Sequence, residues 1–104
     1  MIRPVIHGVL HVVVPGFVAR WGWPARWKNA WFAMLLTNLV DLDHLGAEPI
    51  YDPHRCSLGF HPLHSLAALF VYLVMIAFPK TRIVGVGLVV HMILDGIDCI
   101  WMRL

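Results

Sequence analysis

From Leu66 to Phe78 the chain runs thirteen residues without a charge, LAALFVYLVMIAF. This stretch belongs to an apolar segment from about Leu63 to Phe78. Three more accompany it, at Pro4 to Arg20, about Ala25 to His44, and Arg82 to Trp101. Each segment is roughly 16 to 20 residues, near the lower limit for a helix crossing a hydrocarbon core ~30 Å thick. Only 13% of the 104 residues are charged, where soluble domains carry about 25%. The composition therefore places the chain among integral membrane proteins, as one domain over residues 1–104. Net charge is +2 with its positive residues scattered. Nucleic-acid binding wants a basic stripe on a polar face, so that partner class is excluded.

The connectors between segments are short, which makes neighbouring helices antiparallel. The expected fold is all-α, an up-down-up-down four-helix membrane bundle with a polar loop between helices two and three. Pro4 suits a helix start, and Pro15-Gly16 should kink the first helix or end its regular part. The shorter first and third segments also fit re-entrant or shallow helices. A signal peptide does not fit the first segment, which carries His7 and His11 and is followed by no A-x-A-like site. Trp21 to Lys28, reading WGWPARWK, sets tryptophans beside cations, the mark of a membrane–water interface.

Polar residues are distributed very unevenly. Asp41 to Ser65, DLDHLGAEPIYDPHRCSLGFHPLHS, holds four of the six acids and four of the seven histidines. His7 and His11 share a helix face near the start of segment one. Asp41, Asp43 and His44 end segment two, and His61 and His64 open segment three. His91, Asp95 and Asp98 form an i, i+4, i+7 stripe late in segment four. In an up-down bundle these are all one end. The opposite end carries Arg20, Arg26, Lys28, Lys80 and Arg82.

Each motif alone has a plainer reading. His7 and His11 could be satisfied or interface histidines, His91 and Asp95 a buried hydrogen-bonded pair, D-x-D-H a polar helix end, and H-P-L-H-S a helix start capped by Ser65. Converging at one end, they point to a metal. Ionisable groups inside a membrane bundle are costly and mark function. Carboxylates near helix C-termini meet a negative dipole end that a cation would offset. The donors are nitrogen and oxygen, for which zinc is the default in imidazole-rich hydrolytic sites. The expected ligands are His7, His11, Asp41, His64, His91 and Asp95, followed by His44 and His61. That set exceeds the need of one tetrahedral ion. Either two ions bind, or the surplus residues orient the imidazoles. Asp43 and Asp98 are candidates to take a proton from water, and Arg55 to hold a phosphate.

These motifs, in this order, resemble the bacterial membrane-bound metal-dependent hydrolases of the YdjM type. That family has an early helix histidine, matched by His7 or His11. Its D-x-D-H is matched by Asp41-Leu42-Asp43-His44, its H-x-x-x-x-H-S by the two-residue tighter His61-Pro62-Leu63-His64-Ser65, and its H-x-x-x-D by His91 with Asp95. The chain looks most like a small subgroup, and the wider group is distantly similar to zinc-dependent phospholipase C. The resemblance implies an all-helical, metal-dependent hydrolase.

Residues and resemblance together lead to an expectation of hydrolysis at the membrane surface by metal-activated water. The substrate class is a lipid head group or lipid-linked phosphoester, and a homodimer could complete the thin pocket wall. The alternative is a non-enzymatic metal-binding protein, either a metal or proton carrier or a metal-stapled bundle. Helix three after Ser65 is almost wholly apolar, which argues against a through-path. Bis-histidine haem fits poorly with paired, carboxylate-mixed histidines. The positive-inside rule puts the basic connectors in the cytoplasm and the site end outside the inner membrane. There a Cys56–Cys99 disulfide could close over the cluster.

Overall fold

A computed structural model of the chain describes residues 2–39 and 62–102, whose regular structure is entirely helical. Helix α1 spans Ile2–Gly22, α2 Trp27–Leu36, α3 Leu66–Ala77 and α4 Arg82–Met102. Short 3-10 turns at Pro24–Arg26 and Pro62–His64 lead into α2 and toward α3.

Among the described residues, two helices are long and apolar enough to cross a membrane, α1 through Val5–Gly22 and α4 through Arg82–Trp101. The other two are shorter than the sequence suggests. With 12 residues, α3 rises about 18 Å. Its ends explain this. Ser65 is extended and accepts a hydrogen bond from the Ala68 N–H at 3.2 Å, an N-cap that fixes where the helix starts. Phe78 precedes Pro79, is disfavoured in the helical region for that reason, and is indeed extended. Beyond it, the Thr81 hydroxyl donates to the Met75 carbonyl at 2.7 Å and Arg82 Nε–H to the Ile76 carbonyl at 2.8 Å. These satisfy carbonyls that the helix end leaves over. In α2, Pro24–Arg26 take up the expected first turn as a 3-10 turn, and residues 37–39 tighten to 3-10 after Leu36.

Of the two outcomes expected at Pro15-Gly16, a kink or an end to the regular helix, the second does not occur: α1 runs through Pro15. Trp31 of α2 lies against Gly16, where a Cβ would come within 3.2 Å of the indole, and donates its Nε1–H to the Val12 carbonyl at 2.8 Å. The turn that proline weakens is thus held from outside.

The other three helices all pack against α4, and α1 also packs along α2. Two glycines permit the approach. A Cβ on Gly85 would lie 2.9 Å from the Tyr72 carbonyl oxygen and the Ile76 nitrogen, and one on Gly87 would lie 3.0 Å from Thr37 Cγ2. Close approach over small residues is how helices associate where lipid removes the hydrophobic drive. Among the described residues, buried apolar side chains gather in two small groups, Ala19, Ala30 and Met34, and Tyr72, Leu88 and Met92. The outside is at least as apolar, with Phe17, Phe32, Leu66 and Phe70 all exposed.

Candidate metal centre

The helical spacing read from the sequence brings His7 and His11 of α1 onto the side facing α4. There they meet His91 and Asp95, one turn apart on α4. His64 enters from the 3-10 turn before α3. Tyr72 fixes that turn, its hydroxyl donating to the Leu63 carbonyl at 2.7 Å. Four imidazoles thereby surround one carboxylate. Asp95 Oδ1 stands 3.0 Å from His7 Nε2 and 3.2 Å from His11 Nε2. Its Oδ2 stands 3.0 Å from His64 Nε2 and 3.3 Å from His91 Nε2. The two inner nitrogens, of His64 and His91, are 3.1 Å apart. His11, His64, His91 and Asp95 are buried, and His7 is half-buried.

The tautomers follow from the outer ring nitrogens. His11 Nδ1–H donates to the His7 carbonyl at 2.8 Å, so in the neutral ring the lone pair is on Nε2. That Nε2 is buried without a hydrogen-bond donor, as is Asp95 Oδ2. A bare imidazole nitrogen 3.2 Å from a carboxylate oxygen is a repulsive pair until a cation lies between them. His91 Nδ1–H donates to Asn38 Oδ1 at 3.0 Å, which again turns the Nε2 lone pair inward. Two donors about 2.1 Å from one tetrahedral ion stand roughly 3.4 Å apart, close to the separations across this cluster. Two ligand groups result, His7–His11–Asp95 and His64–His91–Asp95, each with its donor atoms within 4.8 Å of one another. Among the described residues, these His and Asp side chains could hold a metal ion.

Asp98 lies on the edge of the cluster, its Oδ1 3.9 Å from His7 Nδ1. It is near the C-terminus of α4, as expected, but Asp95 is about two turns inside, beyond the reach of the helix-end dipole. The cluster accordingly lies deeper in the bundle than an end loop. Asp41, Asp43, His44, Arg55, Cys56 and His61, all singled out in the sequence, lie outside the described residues. Cys99 is buried and disulfide-bonded.

Sequence reasoning missed Asn38. It is a neutral amide in an apolar run, with no charge to mark it. The available signal was its position three residues before Asp41, on the helix carrying the expected ligands.

Residues 1–102 match the family model described as a family of unknown function, DUF6122, and the chain belongs to that family. No curated protein and no solved structure matches it.

Proposed function

We propose that this member of the family is a membrane-embedded, metal-dependent hydrolase acting on a phosphoester at the membrane surface. The observation that carries the reading is Asp95, whose two carboxylate oxygens each face their own pair of imidazole nitrogens. Five buried or half-buried ligand-type side chains held this way are costly in an apolar bundle unless they serve a site. His7, His11 and Asp95 would hold one ion and His64, His91 and Asp95 a second, with Asp95 shared between them. Zinc is the ion that imidazole-rich sites of this kind prefer. Such an ion, when bound, supplies Lewis-acid activation of water and of a phosphoryl oxygen.

The protein's own contribution is positional. Asn38 and the His7 carbonyl orient two imidazoles through their outer nitrogens, and Ser65 and Tyr72 fix the turn that carries His64. Asp98, whose Oδ1 is 3.9 Å from His7 Nδ1, would be the group to accept a proton. The exposed aromatic and aliphatic side chains, together with α1 and α4 as spans, favour a lipid surround and hence a lipid-borne substrate. The motif order in which the chain resembles the YdjM-type hydrolases supports the same class. The disulfide at Cys99 favours an oxidising compartment on the site side.

A metal-stapled structural bundle is the second reading. It is favoured by the near-complete burial of His64 and His91, and by ligands drawn from α1, α4 and the turn before α3.

The test combines metal analysis with a hydrolysis assay on the purified protein. Wild type should retain two ions per chain, His11→Ala and His64→Ala should each retain one, and Asp95→Ala none. Mixed micelles containing bis-p-nitrophenyl phosphate should release nitrophenolate only with metal and Asp95 present. Metal without hydrolysis of any phosphoester would leave the stapled bundle as the function. No metal in the wild type would remove both readings.

A further inference from the structure

An open groove of about 320 Å³ runs between α3 and α4, lined by Ser65, Leu66, Leu69, Val89, Met92 and Ile93, with His64 and Gly96 also on its wall. Its size is at the lower end of ligand pockets. Because α3 and α4 are antiparallel neighbours, it extends from the His64 and Gly96 end to the Leu69 and Val89 end. Seven residues of α4 make that about 10 Å. Apart from His64 and Ser65, its lining side chains are all apolar. Leu66 and Ile93 on the rim are 84% and 57% exposed, so the groove opens sideways through an apolar wall. Its polar end is occupied by His64, whose Nε2 is 3.0 Å from Asp95 Oδ2. A second groove, between α2 and α4, is bounded by Ala33, Leu36, Leu39, Val84 and Leu88 and includes no member of the cluster.

We propose that the groove between α3 and α4 binds one acyl chain of a membrane phospholipid, entering sideways from the bilayer, with its phosphoester end at His64. The inference rests on the metal-hydrolase reading for its polar end and narrows the substrate class to lipids that keep an acyl chain beside the scissile bond. Three features select the occupant. A groove apolar along its length and polar only at one end is complementary to an amphiphile. The opening lies on a face whose neighbouring side chains, Leu66, Phe70 and Ile93, are exposed and apolar, so acyl chains are what meets it if α4 spans a bilayer. The end of the groove is a buried cluster member, so a head group seated there needs no path through water.

The test is photolabelling of the full-length protein in phosphatidylcholine vesicles carrying phosphatidylglycerol with a mid-chain diazirine. Labelled positions are mapped by mass spectrometry, and zinc is measured on the same samples. Labelling should be several-fold higher at Leu69, Val89 and Ile93 than at Phe17 and Phe32 on α1 and α2, which are at least as exposed. Ile93→Trp, a change at an exposed position, should abolish that excess while zinc content stays unchanged. Leu69→Trp, filling the groove from the other helix, should do the same. Labelling that follows exposure alone, or an excess that survives both tryptophans, would overturn the groove as an acyl site, whatever the zinc content. An excess lost in both variants from a protein that holds no zinc would support the groove and remove the metal reading instead.

Discussion

Asn38 accepts a hydrogen bond from His91 across 53 positions of sequence, Oδ1 to Nδ1 at 3.0 Å. That contact decides which nitrogen of His91 faces Asp95. Asn38→Leu removes the acceptor at a half-buried position and frees the imidazole to rotate or change tautomer. Zinc affinity should fall about 10- to 100-fold, the usual cost of losing such a partner. Competition against a chromogenic chelator reads this directly, with helix content by circular dichroism unchanged. Affinity equal to wild type would mean that Asn38 does not orient the ring.

Tyr72→Phe deletes one hydroxyl and nothing else. The hydrogen bond to the Leu63 carbonyl is worth about 0.5–1.5 kcal/mol, so a small fall in thermal stability is expected. The more informative readout is selective. Loading of the His64–His91–Asp95 group should weaken, while the His7–His11–Asp95 group keeps its ion. A cobalt-substituted protein should then show the absorption of one group bleaching before the other.

Two glycines give opposite expectations. Gly85→Ala puts a methyl 2.9 Å from backbone atoms of α3, which cannot yield as a flexible side chain can. The expected cost is about 1–3 kcal/mol, seen as a lower melting temperature in detergent. Gly8→Ala meets nothing within 4 Å and should be neutral or stabilise α1 by up to ~1 kcal/mol, the helix preference of alanine over glycine.

Cys99 should resist alkylation until a reductant is added, because it is disulfide-bonded. Cys99→Ser should destabilise the protein by about 2–4 kcal/mol and lower its melting temperature only under non-reducing conditions. Under reducing conditions the variant and wild type should converge.

What was legible in the sequence was what periodicity encodes. His7 with His11, and His91 with Asp95 and Asp98, share helix faces because 3.6 residues make a turn. His64 beside the Ser65 cap marks a helix start in plain sight. Tertiary relationships left no such trace. Nothing in a run of leucines and valines says that α2 gives way to a 3-10 turn after Leu36. Nor could the run around Pro15 reveal that Trp31 steadies the turn before it. Asn38 was overlooked because an uncharged amide stands out from its neighbours only once His91 is seen opposite. The length of α3 was overestimated for a local reason. Pro79 marks the end to within one residue, but hydropathy alone carries the apolar run back past Ser65 to Leu63.

Asp95 lies 88 positions after His7 and 31 after His64, so the cluster is drawn from three separate stretches of the sequence. A growing polypeptide therefore has no complete cluster until Asp95 has left the ribosome, and α1 waits until then with two imidazoles unmatched. Assembly of the site waits for α4, and any chain released before Asp95 carries imidazoles without the carboxylate that gathers them.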